Sequence, residues 1–357
     1  MTEKGKVKVH MRIEYDVLKE TIKKAMETAG LSEENAEICA TVHAQSSADG
    51  IESHGLNRVP RFVEYVNKGW VNPGAELELV SAKGAVENYD GHLGIGIVNA
   101  VHCSDRAVEL AKIHGVGIVA LKNTTHWMRG GTYAWRIAEA GYMGINWTNT
   151  ESCMPMWGSD EPGVGNNPFC VAIPREDGPI VLDMAMSQYA YGKLGVYRLA
   201  GKELPYPGGF DKDGDLTSDP GAIEKSRRIL PAGYWKGSSM AVVLDMSAAL
   251  MANGKSGFNM DKENRGSCTG CCQIFIAYDP YLFGSKEDIQ SMLNERVFAA
   301  DHSHPAEQGT PVTCPGERTV QTRKKSMKEG VRVDEQIWSQ VQEIADGNLN
   351  VTDISGK

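Results

Sequence analysis

The chain has no apolar run long enough to cross a bilayer, and it lacks any long basic tract. Its 37 lysines and arginines are outnumbered by 46 aspartates and glutamates, so the formal net charge is −9. A protein with this charge balance is poorly suited to nucleic acid or to an anionic membrane surface. These absences predict a protein that binds neither, although a local basic pocket can still hold an anionic substrate.

Secretion signals and a disulfide framework are also missing. The segment 1–10 is polar, without the apolar core of a signal peptide, so we expect a cytoplasmic protein. Only 8 cysteines occur in 357 residues, which does not suggest a disulfide framework. Cys268 and Cys271 have C-x-x-C spacing, but a structural zinc site needs a second matching pair. Because a strand pattern follows at 273–278, we interpret these thiols and Cys272 as packing residues and predict no metal.

The dinucleotide fingerprint G-x-G-x-x-G is absent as well. Gly94 and Gly96 precede a predicted helix, but Asn99 stands where the third glycine belongs. An ordinary Rossmann domain is therefore not expected. Glycines in front of a helix can nevertheless approach a phosphate group.

What the chain does contain is a helical beginning, a strand-rich middle and a helical end. Apolar residues at helical spacing predict helices over 14–30 and 59–67, and Ser32 is a plausible cap for a helix between them. Apolar and alternating segments predict strands over 77–80, 85–89, 117–121, 143–147, 169–173 and 179–185. Residues 200–227 are rich in Gly, Pro and Asp without an apolar period, and we interpret them as an extended excursion or lid.

The segment around His54 is the first candidate for chemistry. A histidine with a pKa near 6.5 can give or take a proton at working pH. Arg58 follows four residues later, so one helical turn would place both side chains on the same side, and its guanidinium suits a carboxylate. The simpler interpretation, a helix end with a solvated arginine, has about equal weight on this motif alone.

Three further candidates occur later in the chain, two of them at the ends of predicted strands. His126 follows a short apolar strand and precedes two glycines. Asp183 closes another apolar strand, where a carboxylate can orient a histidine. Lys236 lies beside glycines and can reach a phosphate. The alternatives are a histidine satisfied by loop carbonyls, a solvated turn and a solvated lysine.

Taken together, these motifs resemble the malate/L-lactate dehydrogenase family that lacks a Rossmann fold. The order and spacing agree over nearly the whole chain, in the following residues: Ser53-His54-Gly55, Arg58, Pro60-Arg61, Asn123, His126, Gly165, Asn167-Pro168, Leu182-Asp183-Met184, Trp235-Lys236-Gly237 and Pro315-Gly316-Glu317.

The resemblance implies an α/β (α+β) fold with a non-Rossmann NAD-binding domain whose mixed sheet is largely antiparallel. It implies a helical domain built from 1–75 and 285–357, a cofactor and substrate domain over 76–284, and a homodimer. NADH is the implied cofactor, with NADPH as the alternative. The implied cofactor contacts are Pro179, Ile180, Val181, Leu182, Asp183, Met184, Ala185, Trp235, Lys236, Gly316, Glu317 and Arg318.

The resemblance also implies roles at the reacting centre. His54 matches the family's proton donor and His126 a second active-site histidine, with Asp183 as the third catalytic candidate. Ser53, Arg58 and Asn167 are the candidates for substrate contact. The segments 126–131 and 228–238 are most similar to members that reduce 2,3-diketo-L-gulonate at C2. Reduction of another 2-oxo acid or of a cyclic imino acid is the alternative, and a catalytically silent binding protein is the rival from another class.

Overall fold

A computed structural model of the chain describes residues 10–307 and 309–350. Its helices are α1 Tyr15–Thr28, α2 Glu33–Ala48, α3 Val59–Asn67, α4 Gly96–His114, α5 Gly131–Glu139, α6 Tyr191–Leu199, α7 Pro220–Ser226, α8 Trp235–Ala252, α9 Gly257–Glu263, α10 Lys286–Asp301, α11 Glu317–Glu329 and α12 Glu335–Ala345. Its strands are β1 His10–Ile13, β2 Glu78–Lys83, β3 Val86–Asp90, β4 Val116–Thr124, β5 Met143–Thr148, β6 Met154–Pro155, β7 Pro162–Val164, β8 Phe169–Ile173, β9 Ile180–Met184, β10 Gly209–Phe210, β11 Leu216–Thr217, β12 Arg228–Ile229, β13 Cys271–Tyr278 and β14 Val331–Asp334.

The main sheet has seven strands in the order β2-β3-β4-β13-β5-β8-β9. The pair β3/β4 is parallel and the other neighbouring pairs are antiparallel. The predicted mixed, largely antiparallel sheet is therefore confirmed. Strand β13 comes from late in the chain and lies in the middle of the sheet. Its Ile274 and Phe275 are fully buried in two different core clusters, as expected for neighbours on opposite faces.

Helices from both ends of the chain share one core. Leu18 and Ile22 of α1 and Val63 of α3 belong to the same buried cluster as Ile337 and Val341 of α12. Strand β1 also pairs antiparallel with β14. This contact between the ends confirms the predicted helical unit as part of the fold. The exact limits 1–75, 76–284 and 285–357 stay predictions, and the polar segment 1–9 and the tail 351–357 lie outside the described residues.

Predictions that depended only on residues close together in the sequence were confirmed. The Ser32 hydroxyl accepts a hydrogen bond from the Asn35 N–H at 3.3 Å, which makes it the predicted cap of α2. The helix predicted over 59–67 coincides with α3. The predicted cysteine packing is also observed, because Cys268, Cys271 and Cys272 are buried free thiols. Within 10–307 and 309–350, no helix is both long and apolar enough to span a membrane.

The segment 200–227 contains more structure than the sequence suggested. It includes β10 and β11, which form a small sheet with β12, and the short helix α7. Ile223 of α7 is fully buried, and Leu204 packs in the same core cluster. The excursion is thus anchored by single apolar residues that are too widely spaced to produce a visible period.

Candidate active site

The segment carrying His54 forms two short 3₁₀ turns, Glu52–His54 and Leu56–Arg58, on either side of Gly55. The Arg58 Nε donates a hydrogen bond to the Ser53 carbonyl oxygen at 3.1 Å. This bond folds the arginine back over the preceding turn. The sequence predicted a single helical turn with both side chains on one side. Arg58 does lie against the turn that carries His54. However, two short 3₁₀ turns separated by Gly55 bring it there, and not one helical turn.

Helix α2 holds this segment in place through two polar side chains. The Leu56 N–H donates to the Ser47 hydroxyl at 2.8 Å, and His43 Nδ1 donates to the Gly55 carbonyl at 3.0 Å. A Cβ on Gly55 would collide with the Ser47 hydroxyl and lie within 2.8 Å of the Ser47 backbone nitrogen. Gly55 is therefore required by close approach of two backbones.

The two predicted histidines meet at this site. The ring centroids of His54 and His126 are 5.8 Å apart. The Ser53 hydroxyl lies 3.0 Å from His54 Nδ1, and the backbone N–H of Met128 donates to His126 Nδ1 at 2.8 Å. Burial, followed by the charge of Arg58, lowers the pKa of His54 to about 3, whereas Asp183 acts in the opposite direction.

A cavity opens beside His126. Its empty volume, which includes open solvent at its mouth, is about 330 Å³. Its lining consists of Arg58, Arg61, Phe62, Tyr65, Val71, Thr125, His126, Met128 and Ser267. The combination of two guanidinium groups and an imidazole in a mostly apolar wall suits a small organic anion. The site therefore offers a charged group for a carboxylate and a nitrogen for a neighbouring oxygen.

Asp183 lies close to the histidines, but its hydrogen bonds lead elsewhere. Its Oδ2 accepts from Arg129 Nε at 3.0 Å and its Oδ1 from the Cys170 thiol at 3.2 Å. Among the described residues, no hydrogen bond joins Asp183 to His54 or His126. The idea that Asp183 fixes a histidine tautomer is therefore not supported by the geometry, because its carboxylate is occupied by Arg129. Its influence on His54 is electrostatic.

Arg129 belongs to a buried chain of alternating charges. Its Nη1 also contacts Asp49 Oδ2, and Asp49 in turn accepts from Arg323 Nε at 2.7 Å. The side chains of Asp49 and Arg129 are 1% and 6% exposed. This chain connects the end of α2, helix α11 and strand β9 next to the site. Arg58 and Arg61 line the cavity and Arg129 does not, so Arg58 and Arg61 are the better candidates for a substrate carboxylate.

Asn167, a predicted substrate contact, is fully buried. Its Oδ1 accepts from the Thr150 N–H at 2.8 Å and its Nδ2 donates to the Ala241 carbonyl at 2.8 Å. Both polar atoms of the amide are used inside the protein. Asn167 therefore stabilises its loop from inside the protein. The structure does not favour direct contact between its side chain and a substrate.

The three segments predicted to bind the cofactor lie next to one another. The Val181 N–H on the edge strand β9 donates to the Pro315 carbonyl at 3.1 Å, next to Gly316. The Met186 carbonyl, just after β9, accepts from the Ala232 N–H at 2.8 Å, which places the segment leading into α8 alongside. The structure therefore brings together segments that are far apart in sequence.

Comparison with known proteins agrees with this geometry. The profile of the malate/L-lactate dehydrogenase family matches residues 13–342, which is most of the chain. The chain belongs to this family. Dehydrogenases of the malate/L-lactate dehydrogenase family use NAD(P)H. The described fold and the family agree that this protein is an oxidoreductase.

Individual relatives are similar over almost their whole length. The chain is 42% identical to the 2,3-diketo-L-gulonate reductases of Citrobacter koseri and Klebsiella pneumoniae over 336 residues, 93% of this chain and 99% of each relative. Among solved structures, it resembles sulfolactate dehydrogenase from Methanocaldococcus jannaschii, with a TM-score of 0.84, 29% identity and coverage of 96% and 98%. It also resembles malate dehydrogenase from Pyrococcus horikoshii, with a TM-score of 0.86, 25% identity and coverage of 99% of each chain.

Sequence reasoning did not identify His43, Asp49 or Arg323 as parts of the site. A signal existed for His43, because it lies on a helical stripe of α2 whose other members, Ala36, Cys39 and Ala40, are fully buried. A histidine among such neighbours needs a specific partner. No comparable signal exists for Asp49 and Arg323, which are far apart in sequence and meet only in the folded chain.

Proposed function

We propose that this member of the malate/L-lactate dehydrogenase family catalyses NADH-dependent reduction of 2,3-diketo-L-gulonate at C2, giving 3-dehydro-L-gulonate. The observation that carries the proposal is that Arg58 and His126 line one cavity and that the ring of His54 lies 5.8 Å from that of His126. In a 2-oxo acid the carboxylate and the ketone are on adjacent carbons, so they need an anion-binding group next to a proton-donating group. The choice of substrate rests on the reductases that are 42% identical.

The side of the site formed by β9 and its neighbouring segments fits a dinucleotide. Leu182 and Met184 are exposed on the edge strand and offer apolar surface for a ring. A Cβ on Gly316, whose φ is +96°, would lie 3.2 Å from the Val181 nitrogen. The backbones of these two segments are therefore close together, and no side chain at position 316 covers them. Helix α11 begins at the next residue, and its N-terminal end favours a phosphate. Lys236 is exposed at the start of α8.

We propose that the cofactor contacts are Pro179–Ala185 of the β9 segment, Trp235 and Lys236, and residues 316–318. A bound dihydronicotinamide supplies the hydride that the carbonyl carbon receives. The protein supplies position and a proton, and it excludes water from part of the site. NADPH is the alternative cofactor, and Glu317 and Arg318 are the charged residues among the proposed cofactor contacts.

His54 is the proton donor in this proposal. In the free protein its lowered pKa keeps the ring neutral at neutral pH. A substrate carboxylate that pairs with Arg58 cancels the positive charge that lowers this pKa and adds a negative charge nearby. Both changes raise the pKa of His54. The substrate therefore raises the pKa of the group that later protonates its C2 oxygen, although burial, the largest cause of the lowered pKa, still opposes that change.

Arg58 holds the substrate carboxylate. Lysine at this position would keep the charge but lose the planar fork. We expect Arg58→Lys to lower kcat/KM by roughly tenfold or more, equivalent to about 1.4 kcal/mol. The test compares the acid with its C1 amide in both proteins. Wild type should strongly prefer the acid and the variant should lose much of that preference, whereas equal preference would assign the contact to Arg61.

A second candidate function is reduction of a less hydroxylated 2-oxo acid or a cyclic imino acid. The observation in its favour is the apolar lining of the cavity by Phe62, Val71 and Met128. The resembling structures include malate and sulfolactate dehydrogenases and a Δ1-piperideine-2-carboxylate reductase from Pseudomonas syringae. Consumption of NADH with a panel of these substrates distinguishes the candidates. The main proposal requires the highest kcat/KM for 2,3-diketo-L-gulonate, and a higher value for another acid would replace it.

The proposal includes a homodimer. Helix α8 exposes an apolar stripe, with Val243, Met246 and Leu250 being 59%, 64% and 80% exposed. Such a stripe on an 18-residue helix is more apolar surface than a solvated helix usually presents. A second copy of the chain is the occupant that we propose for it.

A further inference from the structure

The ring of His126 is held in one orientation by a backbone hydrogen bond. His126 follows β4, and the backbone turns sharply at Met128, whose φ is +67°. The N–H of Met128 donates to His126 Nδ1 at 2.8 Å. A nitrogen that accepts an N–H must present its lone pair, so Nδ1 carries no hydrogen. In the neutral ring the hydrogen is then on Nε2, at the opposite side of the imidazole.

We propose that His126 works as a permanently neutral hydrogen-bond donor, which presents its Nε2–H to the substrate's carbonyl oxygen and never transfers that proton. This inference deepens the proposed reduction and rests on it for the identity of the acceptor. His126 is half-buried and lines the cavity, and within the described part of the chain its Nε2 makes no hydrogen bond, so this nitrogen is available to a ligand there. The structure thereby separates the roles of the two histidines.

The surroundings of His126 keep the ring neutral. Burial is the largest effect that lowers its pKa, and the charged or titratable groups acting on it are Arg58, His54, Arg61 and His43. Each of these groups also disfavours a second proton on the ring. Protonation at Nδ1 would in addition require the hydrogen bond from the backbone to break. In the free protein electrostatics and geometry therefore act in the same direction. When a substrate carboxylate pairs with Arg58, burial and the hydrogen bond from the Met128 N–H still keep a proton off Nδ1.

His54 differs because its partner is a hydroxyl. The Ser53 hydroxyl can either donate to His54 Nδ1 or accept from it, since the O–H rotates. His54 can therefore gain and lose a proton without losing this bond. In the reduction, the carbonyl carbon gains a hydride, the oxygen gains the proton of His54, and His54 is left neutral. His126 loses no atom and stabilises the negative charge that develops on the oxygen.

The tautomer can be tested without any substrate. Long-range ¹H–¹⁵N NMR spectra of the full-length protein with labelled histidine distinguish Nε2–H, Nδ1–H and imidazolium forms, and a His126→Gln sample assigns the signals. We expect His126 to show the Nε2–H pattern throughout the range from about pH 5 to about pH 8, where a free histidine titrates. An Nδ1–H pattern, or an imidazolium at neutral pH, would overturn the proposal even if the proposed reaction is correct.

Two amide variants test the donor function. The amide nitrogen of glutamine can occupy the position of Nε2, whereas asparagine reaches only as far as Nδ1. We expect His126→Asn to lower kcat by about 10²–10³, as loss of one donor to a developing oxyanion does, and His126→Gln to retain roughly tenfold more activity than His126→Asn.

The same pair of substitutions at His54 serves as the control. Because an amide cannot donate a proton, His54→Asn and His54→Gln should be equally inactive. Equal losses at position 126 as well would contradict the donor role of His126. If no keto acid is reduced by wild type, the proposed function fails, but the NMR result still decides the tautomer.

Discussion

At the scale of single residues, the site depends on which charges are paired inside the protein. Arg129 is buried between Asp49 and Asp183, and Arg323 shares Asp49 with it. Burial opposes the charged form of Arg129, but the two carboxylates raise its pKa above the ordinary value. A buried cation of this kind is stable only while its partners are ionised and in place.

Asp49→Asn should therefore destabilise the fold. We expect the free energy of unfolding to fall by about 3 kcal/mol, because a buried arginine loses one of its two charged partners. Urea denaturation measures this change. The matched control is Asp105→Asn, which removes a carboxylate bound to Arg136 where both side chains are nearly half exposed, at 45% and 49%. That change should cost about 0.2–1 kcal/mol. Similar losses in the free energy of unfolding for both variants would show that the buried chain of charges stabilises the fold no more than an exposed ion pair does.

His54→Asn tests the proton donor. The variant keeps a polar side chain of similar size but has no proton to transfer, so kcat should fall by roughly 10²–10⁴. The affinity for NADH should change little, since the proposed cofactor segments lie along β9 and α8. Stopped-flow turnover and NADH fluorescence titration measure the two quantities. If the variant turns over at nearly the wild-type rate, another group donates the proton.

At the scale of elements, the catalytic segment is a rigid turn fastened to α2. His43 and Ser47 each bind its backbone, and both lie on the buried side of the helix. The segment needs this support because two 3₁₀ turns have few hydrogen bonds of their own. The position of His54 is therefore determined by α2 as much as by its own loop.

Gly55→Ala is expected to displace this turn. The added methyl group would overlap the Ser47 hydroxyl and come within 2.8 Å of its backbone nitrogen. We expect kcat to fall by roughly 10²-fold or more, the size of effect that a displacement of about 1 Å produces. A crystal structure of the variant should show the shift. The control is Gly74→Ala, where the nearest atom to the new methyl would be 3.7 Å away. Full activity in both variants would show that the turn tolerates movement.

At the scale of the whole molecule, helix α8 exposes apolar side chains that the rest of the described chain does not cover. This helix carries the apolar residues Met240, Val243, Leu244 and Leu250. Of these residues only Leu244 is buried within the chain. The remaining apolar side chains point outwards, which is typical of a surface covered by another subunit.

Val243→Asp should dissociate the proposed dimer, because a carboxylate in an apolar interface loses its hydration. Sedimentation equilibrium should give twice the mass of one chain for wild type and the mass of one chain for the variant. Ile113→Asp is the matched control, since Ile113 is 71% exposed on α4, away from this stripe, and its substitution should leave the mass unchanged. A monomeric wild type would contradict the dimer.

The amino-acid sequence by itself determined the features that depend on neighbours along the chain. The cap of α2, the limits of α3, the strand β8 and the absence of a Rossmann fingerprint were all readable from spacing, because helices and strands are governed by residues a few positions apart. The motifs around His54 and His126 were also recognisable, and their resemblance to a family predicted the mixed sheet.

Only the tertiary structure decided how distant segments meet. It placed β13 in the centre of the sheet, joined Asp49 to Arg129 and Arg323, and turned Asp183 towards Arg129 instead of a histidine. It also assigned the amide of Asn167 to internal bonds. These outcomes depend on which side chains are close in space after the core has packed, and a local pattern contains no information about that distance.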